Sequence, residues 1–391
     1  MNQDIYRDSE LPYELWLCSF PDVGNRQLLQ LTELCGGAKE VYFSSLDKWR
    51  QVLKEKQVES LKRFTESWKP EREYERLQEK GIKLVTLADG QYPGRLREIP
   101  DAPYGLFVRG SLPGEEEITV AVIGARECSQ YGSFVAEKLG EILGRNGIAV
   151  VSGMARGVDG ISQAAALNVG GRSCGVLGCG IDICYPKENR ELYDRLPSQG
   201  CLVSSYPMGT PARAWNFPPR NRIVSGLADA VVVVEAREKS GTLITVDMAL
   251  EQGKEVYAVP GRITDRLSDG CNRLIRQGAA PLLNPEELVQ ELYGLQEKRY
   301  GRKEQEKNRP SGRSAAKKNN IGPQLTPELK AVCGALELTP RTVEEIRERL
   351  PRNIQESGFN INAGLIRLCL ENLAVQVSPG CFAGVVTGNC D

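Results

Sequence analysis

Histidine does not occur once in the 391 residues. Its absence removes every Ser-His-Asp or Cys-His relay, imidazole metal ligation and the usual proton shuttle near neutrality. A surplus of charge of either sign is also missing, since 50 Lys and Arg face 51 Asp and Glu. A polyanionic partner must therefore be held by local clusters of cations rather than by a global field. No Cys-x-x-Cys pair occurs among the 12 cysteines, and Cys174, Cys179 and Cys184 follow a spacing that suits neither zinc nor iron–sulfur ligation. They read as small buried hydrophobes of a reducing compartment. No apolar run is long enough to cross a bilayer, and the polar, acidic start MNQDIYRDSELPY is no signal peptide. Together these absences predict a cytoplasmic chain that uses no metal and touches no membrane.

What is present is ordinary globular composition, 41% hydrophobic and 26% charged, in a chain long enough for two or three domains. Residues 1–68 carry apolar positions at helical spacing (Leu28, Leu31, Leu34; Val41, Leu46, Trp49, Leu53) between short Gly-containing breaks, which predicts a small helical domain. Residues 69–296 begin with a charged helix, Glu71 to Lys80, and a Pro-rich connector from Tyr92 to Gly114. Then come ITVAVIG, IAVVSG, SCGVLG, CLVSS, AVVVVEA and EVYAVPG, separated by amphipathic segments. Short, nearly continuous apolar runs alternating with helices predict an α/β fold with a doubly wound, Rossmann-like parallel sheet. Residues 297–323 are basic and poor in apolar side chains, a composition read as a flexible linker. Residues 324–391 predict three helices and a hairpin, the plan of a winged helix. Thr326-Pro327 starts the first helix, and Thr342 with Glu345 forms a capping box for the second.

Ligands of open parallel sheets bind beyond the carboxyl ends of the strands, so the loops after the strand runs are the place to look. Neither G-x-G-x-x-G nor G-x-x-x-x-G-K-[ST] is present, so no dinucleotide or P-loop cofactor is indicated. The loops offer instead Gly124 and Arg126; Ser152, Gly153, Arg156 and Gly157 before a helix start; Lys187 and Asn189 after Tyr185; Arg220 and Arg222; and Ser240-Gly-Thr242. Each is an amide cradle, a cation or both, and several in series suit successive phosphates. Two readings stand side by side here. Glycines after parallel strands also serve tight packing, Asp159 and Asp182 also cap helices, and Arg220 and Arg222 also pair with Glu235 or Glu238. Tyr185, Tyr206, Trp215 and Phe217 stack bases in one reading and fill the core in the other.

The blocks YPGRLREIPDAPYGLFVRG, VIGAR, SGMARGVDGISQAAAL, LGCGIDICYPKENREL, FPPRNRIVSGLADAVVVVEAREKSGTLIT and VYAVPGRITDRLSDGCNRLIRQGA resemble, in order, the DNA-processing protein A (DprA/Smf) family. The resemblance spans Tyr92 to about Leu283. It implies a non-enzymatic single-stranded-DNA binder of natural transformation that protects incoming strands and loads the RecA recombinase. It further implies a homodimer formed through the α/β domain and a sterile-alpha-motif or helix-hairpin-helix-like N-terminus. By motif, the family's DNA contacts fall on Arg126 and Lys187, with the backbone of Ser152, Gly153 and Gly157 facing phosphate. Gln163 stands where family members usually carry histidine, a change that a binding protein tolerates. From Leu325 onward six basic residues face eight acidic ones, and the presumed recognition helix has one cation, Arg367, and a weakening Gly364. That predicts protein contact rather than duplex binding for the C-terminal domain. The competing expectation is a nucleotide-processing enzyme of the related phosphoribohydrolase-like group, with Asp159 or Glu235 as base. SGTLITVDMALE lacks that group's paired glycines, and its acid, Glu251, is displaced.

Overall fold

The structure is a computed structural model that describes residues 2–20, 23–307, 326–336, 340–355, 359–370, 374–378 and 381–384. The chain divides into two compact units, Met1–Asn308 and Arg309–Asp391.

The first unit is built on nine strands: β1 (Lys83–Thr86), β2 (Gly105–Gly110), β3 (Thr119–Ile123), β4 (Ala149–Ser152), β5 (Ser173–Leu177), β6 (Gly200–Ser204), β7 (Ala230–Val233), β8 (Glu255–Ala258) and β9 (Ala280–Pro281). They form one sheet in the order β1-β2-β6-β5-β4-β3-β7-β8-β9. All pairings from β6 to β9 are parallel, while β1–β2 and β2–β6 are antiparallel. The six apolar runs of the sequence are β3 to β8. Both faces of the parallel part are covered, which is why those runs are apolar throughout. Ala121, Ile123, Val151 and Val231 face the helices Phe217–Gly226, Gly241–Glu251 and Asp269–Arg276. Their neighbours Val120, Val122, Val150 and Val232 face Gln130–Arg145, Val158–Asn168 and the helix that starts at Pro285. From β3 the chain winds through β4, β5 and β6 to one side, then returns beside β3 as β7 and continues to β9 on the other. The winding reverses at β3, so the crevice beyond its carboxyl end is the topological switch point.

The N-terminal helices Asn2–Ser19, Asn25–Cys35, Ala38–Phe43, Leu46–Arg50 and Glu55–Ser67 enclose Trp16, Leu17, Leu31, Trp49 and Leu61. No break in packing follows residue 68. Trp68 packs against both this core and the next one, where Leu15 and Leu77 meet Phe107 of β2. The hydroxyl of Tyr104 donates to Glu14 at 2.5 Å across the same junction. At the other end of the unit, the helix Pro285–Lys307 runs into the stretch that composition marked as linker from residue 297. Glu, Lys, Arg and Gln are good helix formers even without an apolar face, so the linker reading is corrected for residues 297–307; residues 308–325 lie outside the described residues.

In the second unit Thr326 caps the helix Pro327–Ala335, accepting from Leu329 N–H. β10 (Arg341–Thr342) follows, then the helices Val343–Glu348, Arg352–Gln355 and Ile361–Leu370 and the hairpin β11 (Ala374–Ser378) and β12 (Cys381–Gly384). The Thr342–Glu345 capping box forms as the sequence predicts. The sheet order is β10-β12-β11, over a core of Leu329, Val332, Ile346, Leu365, Leu368 and Phe382.

Candidate nucleic-acid interface

Glycines bring the loops at the switch point into backbone contact. A Cβ on Gly157, whose φ is +72°, would lie 2.3 Å from the carbonyl oxygen of Ala125, so the loops after β3 and β4 could not approach with any other residue there. Gly124 abuts Val158 in the same way, and Val158 N–H donates to Ala125 O at 3.2 Å. A third loop is tied in by Asn189, whose Nδ2 donates to Met154 O at 2.9 Å and Ala155 O at 3.0 Å. Met154 is itself left-handed at φ +58°. Thr242 Oγ1 donates to Gly124 O at 3.2 Å, which places the start of the helix Gly241–Glu251 beside the first loop. Between these segments lies a cleft of about 750 Å³.

Arg126, the first of the predicted contacts, is exposed and lines this cleft. Its guanidinium lies 5.7 Å from the ring centre of Phe217, which in turn sits 5.5 Å from the ring of Tyr185. Lys187 is exposed on the 3-10 turn Lys187–Asn189, two residues beyond Tyr185 of the cleft wall. Arg156 is exposed beside it, 3.7 Å from Glu188. Gly124 and Gly153 line the cleft, and Gly157 and Asn189 act through the backbone ties just described.

The other predicted contacts are buried, engaged or outside the cleft. Ser152 is fully buried, and its hydroxyl donates to Val122 O at 2.7 Å across the sheet. The Gly153 amide is already engaged by Asp159 Oδ2 at 3.0 Å, and Asp159 also takes the amide of Ala155. The predicted phosphate cradle is thus filled by the protein's own carboxylate. Burial holds that carboxyl above the usual range, opposed by the nearby charge of Arg220 and by the amides. Arg220 is 5% exposed and donates to Gly153 O at 2.7 Å and to Val176 O, so it braces the floor rather than meeting solvent. Burial lowers its pKa to about 10, with Asp159 pulling the other way. Arg222 is outside the cleft, paired with Asp101.

Glu235 is likewise engaged. It accepts from the amide of Ser129 at 2.9 Å and its hydroxyl at 2.5 Å, while Ser129 caps the helix Gln130–Arg145. Gln163 is buried beneath the sheet, its Nε2 donating to Ser173 Oγ and Cys174 O at 3.1 Å, and does not reach the cleft. Two exposed cations that sequence reasoning passed over, Arg237 and Lys239, line the cleft from the loop after β7. Their signal was position, for AREKSG follows a strand end just as VIGAR does. Four cations (Arg126, Arg220, Arg237, Lys239) against two carboxylates (Glu127, Asp159) line the site, which favours an anionic occupant.

Residues 83–293 match the model of the family described as DNA recombination-mediator protein A. DNA processing protein DprA of Bacillus subtilis is 40% identical over 215 residues, covering 55% of this chain and 72% of that protein. Protein Smf of Escherichia coli is 42% identical over 221 residues, covering 56% and 59%. The X-ray structure of DNA processing protein A from Streptococcus pneumoniae aligns with a TM-score of 0.63 at 33% identity over 72% of this chain and 97% of that one. A doubly wound sheet with its cationic cleft at the switch point, and a family match across more than half of the chain, make this protein a member of the DNA-processing protein A (DprA/Smf) family.

Proposed function

We propose that this chain grips single-stranded DNA along the carboxyl rim of its sheet without catalysing a reaction on it. In this reading it protects incoming strands in the cytoplasm and delivers them to the RecA recombinase during recombination and natural transformation. Arg126, Arg237 and Lys239 neutralise phosphates from inside the cleft and Lys187 from its rim, while the exposed ring of Tyr185, backed by Phe217, offers a face to a base. The observation that carries this reading is the stack in which the Arg126 guanidinium covers Phe217 and Phe217 leans on Tyr185. A cation next to paired rings suits a charged backbone with unpaired bases and reads no particular sequence. The engagement of both Asp159 and Glu235 in amide and hydroxyl contacts supports a binding role over an enzymatic one.

A homodimer is supported by apolar side chains left in water on the α/β domain: Phe134 is 58% exposed and Ile263 91%. Tyr131 joins the helix of the first to the loop before the second by donating to Pro260 O at 3.2 Å. We assign the C-terminal unit, as a winged helix of mildly acidic charge, to protein contact rather than duplex DNA.

Fluorescence anisotropy with a labelled oligothymidylate across a salt series tests the site. Arg126→Ala and Lys187→Ala are each expected to weaken binding about tenfold and to lower the salt slope by about 1. Unchanged affinity and slope in both variants would sink the assignment.

A further inference from the structure

The segment between β6 and the helix Phe217–Gly226 has a cavity on each side. Ala212, Ala214 and Phe217 line the cleft described above. Arg213, Trp215 and Asn216, with Pro207 to Pro211, line a second groove of about 890 Å³, whose far wall is made by the N-terminal helices through Phe64 and Trp68. The segment is held in place. Tyr206 O–H donates to Asn216 O at 3.0 Å, Asn216 Nδ2 to Pro211 O at 3.2 Å, and Gly209 N–H to Asp182 Oδ1 at 2.9 Å.

On this fixed segment Trp215 is 66% exposed, whereas Trp16 and Trp49 are buried at 0% and 3%. The Arg213 guanidinium stands 5.2 Å from its ring centre. The other cations of the groove are neutralised locally, Lys80 by Asp182 at 3.3 Å and Arg76 by Glu73 at 2.7 Å. Arg213 has no carboxylate partner among the described residues. The groove therefore presents one uncompensated positive charge beside one exposed indole, a pairing suited to a nucleotide, with a phosphate for the first and a base for the second.

We propose that this groove is a second nucleotide subsite, in which a strand leaving the main cleft crosses the segment at Ala214, stacks a base on Trp215 and sets a phosphate against Arg213. The subsite rests on the reading of the main cleft as a single-strand site. It predicts that oligonucleotide length decides whether Trp215 matters.

The test uses the full chain with labelled oligothymidylates of about 6 and about 20 nucleotides, read by anisotropy and by tryptophan emission. Trp215→Ala and Arg213→Gln are each expected to weaken the long oligonucleotide about tenfold and to change the short one less than about twofold. Trp215→Phe keeps a stacking face, so it is expected to retain most of the affinity while losing the quenching that the long oligonucleotide causes in the wild type. Long-strand binding unaltered by Trp215→Ala and Arg213→Gln, with Arg126→Ala still defective, overturns the subsite and leaves the main cleft standing. Equal losses for both lengths in the Trp215→Phe and Arg213→Gln variants, with an unaltered circular dichroism spectrum, also overturn it. A wild-type chain that binds neither oligonucleotide overturns both readings.

Discussion

Asp159 decides at the level of a single side chain what the loop after β4 can do. The string SGMARGVDG advertises a glycine turn that presents amides, and the backbone does make that turn. The carboxylate near the start of the following helix folds back onto the amides of Gly153 and Ala155. An anion at a helix N-terminus is favoured there by the same dipole that would favour a phosphate. Its raised pKa gives a pH signature. Protonation is easier in the folded than in the unfolded chain, so Asp159's share of stability is fully present below the unfolded carboxylate value. That share is lost as pH rises through the higher folded value. The stability difference between wild type and Asp159→Asn, followed by urea denaturation, is therefore expected to be more favourable to wild type in acid than at neutral pH. A difference that does not change with pH would contradict this. That the loop glycines and Arg126 would gather beyond the strand ends was legible from residue type and position. The fates of Ser152, Arg220 and Arg222 were not, because a hydroxyl or guanidinium in a string does not say whether it faces water, and only packing put Arg220 under Phe217.

Elements join at the cleft through caps, and Glu235 is the clearest example. It follows β7 by two residues yet fixes the start of the helix Gln130–Arg145 by holding Ser129 at both backbone and side chain. Glu235→Ala removes both acceptor oxygens from the half-buried Ser129 and is expected to cost about 2 kcal/mol, read as a lower urea midpoint at unchanged slope. A shift below about 0.5 kcal/mol would show the cap to be dispensable. The strands β3 to β8 could be read from the string because burial on both faces writes continuous apolar runs. β1, β2 and β9 could not. β2 lies inside a Pro-rich stretch and ends in Arg109-Gly110, and β9 is two residues long. The helix Pro285–Lys307 escaped for the opposite reason, since its charged end has helix propensity without the apolar periodicity that marks a packed helix.

For the molecule as a whole, the two units own separate cores. Leu329 to Phe382 supply the second without a residue from the first, and the cleft is lined only by residues of the first. A chain ending at Asn308 is therefore expected to melt cooperatively and to bind a short oligothymidylate within about twofold of the full chain, by anisotropy at matched salt. A loss larger than about tenfold would place part of the DNA site in the C-terminal unit. The sequence anticipated the α/β order, but the change of composition at residue 297 falls inside the helix Pro285–Lys307, and the first unit ends only at Asn308. The seamless joint at Trp68 was invisible, because a tryptophan shared by two cores looks like a tryptophan belonging to either.

β9 ends the sheet after two residues, and the second is Pro281. Proline has no amide hydrogen to offer a newcomer, and so brief a margin leaves little ladder to extend. That flank is therefore a poor template for a continuous β-lamella between copies of this protein. Association there is favoured through helix and loop surfaces instead of the polymerising, strand-adding chemistry that open sheet margins invite.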